Sequence, residues 1–356
     1  MSRFLLKQMF TEQQQKLFER KGGKESRYVE KWQKLVHILG ILLVLLLALL
    51  GIGLSIFMFI YTNKAEKVIP SREDAQRKDT IIPIIQDVPR DAIPPLNSPE
   101  YESSLEAERW IQNDDIVLGV EFAGDARAYP IKIMNWHEIV NETIGGRKIV
   151  ITYCPLCNSG IVFDRYLNEQ LLSFGNTGAL YESAMVMYDR ETESYWYQIT
   201  GEALTGSLKG QRLSILPSTM MLWKEWRALH EDTKVLSLDT GYTRNYLSDP
   251  YRAYENPDSQ PGFPVSIQDN RLLPKDQVVG ITIDGISKAY PVKIVQGKVI
   301  RDIVSGQEFE IIGDIAGRSA QVFLIKDGEQ ISIPSSSTFW FAWFAGYKDT
   351  LIYEEE

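Results

Sequence analysis

Cys154, Cys157, His137 and His230 carry the clearest chemical potential in the stretch from position 62 onward, which holds no other cysteine or histidine. The cysteines stand as Cys154-Pro155-Leu156-Cys157-Asn158, and one turn at that spacing sets both sulfurs on one side. Four uses of such a pair are open. As a metal knuckle, two thiolates with imidazoles suit zinc or copper(I), and Asn158 supplies a residue that tolerates a left-handed backbone after the second cysteine. The ligands on that reading are Cys154, Cys157 and His137, with His230 or Met187 next. Met187 alternates with Met185 on a predicted strand, and a thioether ligand favours copper. As a redox dithiol, the pair exchanges with disulfides, because CxxC depresses the attacking thiol. The following Ser159-Gly160-Ile161-Val162-Phe163 reads as turn then strand, unlike the helix that follows a thioredoxin-type motif. The third use is structural, a local disulfide or two packed thiols. The fourth is a cysteine nucleophile served by His137.

Other arrangements are excluded or weak. No Ser/His/Asp order and no HExxH can be assembled. The loop predicted at residues 174–181 has glycines but neither the lysine of a phosphate-binding loop nor GxGxxG, so no nucleotide cofactor is expected. From residue 62 onward acids outnumber bases by 14, which excludes nucleic acid as a partner, since phosphate binding needs clustered Lys and Arg.

The elements that must position these residues read as a β-rich body. From Asp115 short β-type runs alternate with turn residues: residues 117–123 and 127–131 flank Gly124-Asp125, a hairpin signal, and further strands are predicted over residues 148–153, 160–164, 171–174 and 185–188. One helix is predicted over residues 219–229, with Leu222, Trp223, Trp226 and Leu229 on one face and His230 at its end.

Ahead of this body, Leu35 to Tyr61 contains no Asp, Glu, Lys or Arg. As a helix it exceeds the ~30 Å hydrocarbon core, and it is too long and too far from the start for a cleaved signal. An uncleaved anchor in the lipid bilayer is expected. Six bases in residues 20–34 against three in residues 62–76 place the N-terminus in the cytoplasm and the body outside. The expected organisation is a tail (1–34), a transmembrane helix (35–61), a proline-rich stalk (62–114) and two β-rich lobes (115–260 and 261–356).

The two lobes follow from an internal repeat. Gly119, Gly124, Ala128, Tyr129, Pro130 and Lys132 recur as Gly280, Gly285, Ala289, Tyr290, Pro291 and Lys293, and Trp223-x-x-Trp226 recurs as Trp340-x-x-Trp343. The expected fold is therefore α+β, predominantly antiparallel β, with two related lobes from an internal duplication preceded by one transmembrane helix. The second lobe is shortened in its middle by about forty residues. Lys298 aligns with His137 and Tyr347 with His230, so shared residues read as scaffold and residues confined to the first lobe as candidates for chemistry. Two lobes can also wall a cleft for a peptide, glycan or protein partner.

His137-Glu-Ile-Val-Asn141, Tyr153-Cys-Pro-Leu-Cys-Asn158, Phe174-Gly-Asn-Thr-Gly178, Met187-Tyr-Asp-Arg190, Trp196-Tyr-Gln198 with Thr200-Gly201, and Leu238-Asp-Thr-Gly241 together resemble the family called domain of unknown function 3179. The resemblance spans residues 88–353. It implies export or membrane anchoring, and it carries over no activity, substrate or cofactor. Glu231 departs from the proline that similar proteins are expected to have after the histidine.

Overall fold

Short apolar runs from Ile116 onward give the strands surface to bury, several of them on both faces, and strands of that kind pair into sheets. The computed structural model describes residues 83–355, apart from 255, 257, 258, 315, 316 and 318, and these lie within one compact unit, Lys67–Glu356. The predicted tail and anchor fall outside the described residues. Among the described residues no helix is long and apolar enough to cross a membrane. The fold is α+β and dominated by β-structure, with mixed but mainly antiparallel sheets and a few short helices.

The first half opens with the predicted hairpin. Strand Ile116–Phe122 pairs antiparallel with Asp125–Pro130 through Ala123 and Gly124, both at positive φ. Helix Ile131–His137 follows directly. Strands Ile139–Ile144, Arg147–Cys154 and Ser159–Asp164 then run antiparallel in sequence order. The second half repeats this order: Gln277–Ile283 with Ile286–Pro291, helix Val292–Val295, then Val299–Val304, Gln307–Gly313 and Ala320–Lys326. In each half a later strand completes the hairpin sheet, Thr219–Leu222 against Ile116–Phe122 and Ser336–Phe339 against Gln277–Ile283. Each of these leads straight into a tryptophan-bearing helix, Trp223–Leu229 or Trp340–Gly346.

Three sequence readings need correction. Residues 83–114, read from their prolines as stalk, are part of the body: Leu96–Asn97 pairs parallel with Val140–Asn141, and Tyr101–Ser103 pairs with Lys234–Leu236. Prolines 94 and 95 sit just outside these short edge pairings, where a missing N–H costs nothing. The helix predicted from residue 219 starts at Trp223, because residues 219–222 are drawn into the sheet. The loop predicted over residues 174–181 is strand Phe174–Tyr181 with a bulge between Asn176 and Ala179. Gly178 takes the positive φ of 69° that the bulge requires.

The shared glycines and tryptophans are packing partners. A Cβ on Gly119 would lie 2.2 Å from the Trp226 ring, and one on Gly280 would lie 2.3 Å from the Trp343 ring. Trp226 Nε1 donates to Thr233 Oγ1 at 2.9 Å, as Trp343 Nε1 does to Thr350 Oγ1 at 2.8 Å. Both indoles are buried, so each needs this bond. Gly119→Ala is accordingly expected to destabilise the domain by about 1–3 kcal/mol, the usual cost of forcing volume into a packed core. Urea denaturation checks this, and a change within about 0.5 kcal/mol, the ordinary surface range, would contradict the packing account.

Candidate functional site

The register of three strands decides where the cysteines go. Ile139 pairs with Thr152, and Cys154 pairs with Ser159 across the next gap. The CxxC segment is therefore the turn between Arg147–Cys154 and Ser159–Asp164. The Cys157 N–H donates to the Cys154 carbonyl at 3.3 Å, and Asn158 adopts φ 45°, the left-handed conformation its side chain tolerates. The second half braces the turn from below: the Phe339 N–H and the Thr338 hydroxyl both donate to the Cys157 carbonyl, at 2.8 and 3.0 Å.

Both cysteines are free thiols and belong to an apolar cluster with Met185, Met187, Trp196 and Phe339. The two sulfurs are not equivalent. Burial would raise the Cys154 thiol, but the Cys157 thiol and the amides of Met185, Cys157 and Leu156 outweigh it and hold Cys154 below the ordinary thiol value. Burial and the neighbouring Cys154 sulfur push Cys157 well up. The hydrogen bonds agree. Ser159 gives its one proton to Gln198 Oε1 at 2.9 Å, so in the 3.4 Å Cys157–Ser159 contact the thiol is the donor. Gln198 is held in turn by Thr152 Oγ1 at 3.1 Å.

Glu138 completes the site. Helix Ile131–His137 ends on it with φ 58° and ψ −27°, a left-handed conformation that costs a β-carbon residue energy. The Tyr153 N–H, one residue before Cys154, donates to the Glu138 carbonyl at 2.8 Å. The Glu138 carboxyl is buried, and Asn176 Nδ2 donates to its Oε2 at 2.7 Å. Asn176 cannot turn over, because its Oδ1 accepts the Gly178 N–H at 2.7 Å; the bulge thus serves the acid. Burial first, and the Cys154 sulfur second, raise Glu138 well above the usual carboxyl range, which favours its neutral form.

The predicted site residues separate. Cys154, Cys157 and Met187 share one cluster. His137 does not turn its nitrogens to it: Nδ1 lies 2.8 Å from the Pro94 carbonyl and Nε2 lies 2.7 Å from the Tyr246 hydroxyl. A carbonyl only accepts, so Nδ1 carries the proton and Nε2 accepts from Tyr246. His230 rests on the Trp226 ring with centroids 4.0 Å apart. Tyr347 rests on Trp343 in the same way at 4.1 Å, which makes the His230 ring scaffold. Among the described residues no three His, Cys, Asp or Glu side chains come together as a metal-holding group. The expectation of a copper or zinc centre using the histidines thus lacks its third ligand among the described residues: both His137 nitrogens are hydrogen-bonded elsewhere, and His230 lies on Trp226 outside the cysteine cluster. Glu138, Asn176, Ser159 and Gln198 were missed as site residues, although three of them lie inside the quoted motifs.

Three of those motifs, spaced along the chain, bring Glu138, Asn176 and Gln198 to the surroundings of the cysteine pair. The model of a family described as a protein of unknown function, DUF3179, matches residues 90–350. The chain belongs to the DUF3179 family. No curated protein and no solved structure matches it.

In this DUF3179 domain His137 has a readable pH signature. Burial holds it below its ordinary value, against the pull of the Pro94 carbonyl. The unfolded chain takes up the proton near pH ~6.5, and the folded chain does so only at lower pH. The stability linked to this group is complete above the unfolded value and drains away as pH falls through that window. His137→Phe is expected to be less stable at pH 7 and to show a flatter stability curve between about pH 7 and 5. Parallel curves for the two proteins would refute the assignment.

Proposed function

We propose that Cys154 and Cys157 form a thiol–disulfide redox centre with Glu138 as its proton carrier. The observation that carries this reading is the enclosure of two free thiols on one turn, within hydrogen-bonding reach of each other, beside the buried Glu138 carboxyl. These are the only cysteines in the chain, so no structural disulfide competes with them. The Cys154 thiolate attacks one sulfur of a substrate disulfide and forms a mixed disulfide. The departing thiolate takes the Glu138 proton and leaves as a thiol. The Glu138 carboxylate then takes the Cys157 proton, and the Cys157 sulfur attacks Cys154. The Cys154–Cys157 disulfide forms, and the second substrate thiolate leaves with the same proton. Two electrons pass from the protein dithiol to the substrate disulfide, and the reverse sequence oxidises a substrate dithiol.

The domain's setting is part of the proposal. We infer that Leu35–Tyr61 anchors the chain in the lipid bilayer with the body outside the cytoplasm. The charge asymmetry across the 27 uncharged residues supports this. The recurrence of strand order, glycine–tryptophan packing and indole hydrogen bonds in the two halves supports an internal duplication.

Separate experiments test the chemistry and the setting. The Cys154–Cys157 couple is expected to have a reduction potential above about −300 mV, the region of inert structural disulfides, and alkylation of Cys154 should reach half its rate below pH ~8.5. Glu138→Gln should slow exchange. It should also make the protein more stable at neutral pH, because burial raises the folded carboxyl above the unfolded value of about 4.3, so the acid costs stability once pH exceeds that value. A potential below that limit, or a Gln variant that exchanges at the wild-type rate, would dismiss the redox centre. For the setting, protease added outside intact cells should remove the body and spare the tail; full protection of the body would reverse the topology.

A further inference from the structure

The sulfurs that must meet a substrate are closed off: Cys154 and Cys157 are 1% and 0% exposed. Exchange brings a third sulfur against Cys154, so part of the enclosure has to move. Among the partly exposed residues packed on the cysteine cluster, Tyr181 and Ile215 belong to paired strands. Tyr254 and Val265 come instead from the chain between Leu236 and Gln277. The described residues of that stretch, about forty positions long, form no helix or strand, and such a connection moves at lower cost than a sheet. Two of its tyrosines reach the site. Burial first, then the Cys157 and Cys154 sulfurs, raise Tyr254 to about 12, against the pull of the Gly262 N–H. Burial first, then the Glu138 carboxyl and the Cys154 sulfur, raise Tyr251.

This stretch is latched at two places. The first is the turn between Phe174–Tyr181 and Ala184–Asp189, where Glu182 and Ser183 stand at φ 52° and 59°. Glycine or asparagine would take those conformations at lower cost. The two side chains offset that cost by holding the stretch. Glu182 Oε2 and Oε1 accept the N–H and hydroxyl of Ser266 at 2.7 and 2.6 Å, and Ser183 Oγ accepts the Phe263 N–H at 3.3 Å. The second latch is Lys275, which is 3% exposed. Its ammonium donates to the Tyr254 carbonyl and to Ser259 Oγ, and it lies 3.2 Å from the centre of the Tyr254 ring. The Gly262 N–H donates to the Tyr254 hydroxyl at 3.0 Å, so ring and hydroxyl are both held.

We propose that Tyr254 and Val265 form a gate over the thiol pair, kept shut by Glu182 and Lys275. Release of the two latches lifts the aromatic ring from the cluster and admits a substrate disulfide to Cys154. Closure afterwards excludes water from the mixed disulfide and from Glu138. Without a local opening of this kind, thiols so deeply placed would react only when the whole domain unfolds. The gate's part in exchange rests on the redox reading of Cys154 and Cys157.

The test follows labelling of the cysteine pair by iodoacetamide in the full-length protein. Ser266→Ala removes an exposed hydroxyl, and Lys275→Met replaces a buried ammonium by an apolar chain of similar length. Each should speed labelling about tenfold, the worth of one hydrogen bond to a charged group. Gly119→Ala serves as the control, because it strains the Trp226 packing in a separate cluster. It should lower global stability and leave labelling unchanged. Equal acceleration in all three variants, or none in Ser266→Ala and Lys275→Met, would overturn the gate. Exchange with hydroxyethyl disulfide should quicken in the two latch variants in the same proportion as labelling. If labelling quickens but no protein exchanges, the gate stands and the redox reading has failed; if exchange proceeds while labelling ignores the latches, the redox centre stands without a gate.

Discussion

Glu138 is turned into an apolar core by a left-handed residue at the end of a helix, and a carboxyl in that setting tolerates few neighbours. Ionised without a partner it would cost far more than any single packing contact contributes, so burial favours the neutral form, which needs a fixed donor for its carbonyl oxygen. Asn176 provides that donor only because a bulge interrupts strand Phe174–Tyr181 at that residue. The bulge in turn needs Gly178, where a side chain would meet the Val88 carbonyl. The N–H groups of Asp87 and Val88 close the arrangement by donating to the Gly178 carbonyl. One buried acid thus explains a strained helix end, an irregular strand and the docking of residues that read as a stalk.

The same enclosure separates the two thiols. A thiolate in a dry cluster survives only where amides point at it, and the turn supplies amides to Cys154 but leaves Cys157 a hydroxyl whose proton is already committed to Gln198. Tyr254 and Val265, from the segment between the halves, pack over the cluster. Burial also raises Tyr254 to about 12, so the groups facing the thiols are held in their neutral forms. Low polarity around the sulfurs strengthens every interaction between them and keeps water from competing.

Much of the fold was legible because period-two alternation and turn residues are local signals. The hairpin, read at Gly124-Asp125 and found one residue earlier at Ala123–Gly124, the strand ending in the CxxC turn and the left-handed Asn158 are all readable from neighbours in the chain. The candidate site was half legible. A pair of cysteines announces itself, whereas Glu138 beside a histidine looks like a solvated acid until long-range strand pairing buries it. His137 was the natural ligand by residue type, yet its nitrogens are claimed by Pro94 and Tyr246, at 43 and 109 positions away. No local pattern reports such partners. The shared residues of the repeat read only as scaffold, and the sequence does not show that Gly119 and Gly280 are the flat places on which tryptophans lie, a relation that spans more than sixty positions in each half.

Comparison of the halves shows why only one of them holds the site. The Gly313 N–H donates to the Lys298 carbonyl at 3.0 Å, just as Tyr153 does to Glu138, so strand pairing sets Lys298 opposite Glu138's place rather than His137's. The helix before it is shorter, Val292–Val295 against Ile131–His137, which accounts for the shift from the sequence alignment. Lys298 reaches out to an exposed pair with Glu355, and Asp314 occupies the position equivalent to Cys154. The scaffold alone therefore leaves these positions near water. What the first half adds is residues 165–218, between Ser159–Asp164 and Thr219–Leu222, where the second half has only 327–335 between the matching strands. That insertion contributes Asn176, Met185, Met187, Trp196 and Gln198, which are the groups that dry the cluster and orient its polar atoms. In the first half this sheet covers the strand end and buries it, and the environment of the thiols depends on the inserted layer more than on the strand order the two halves share.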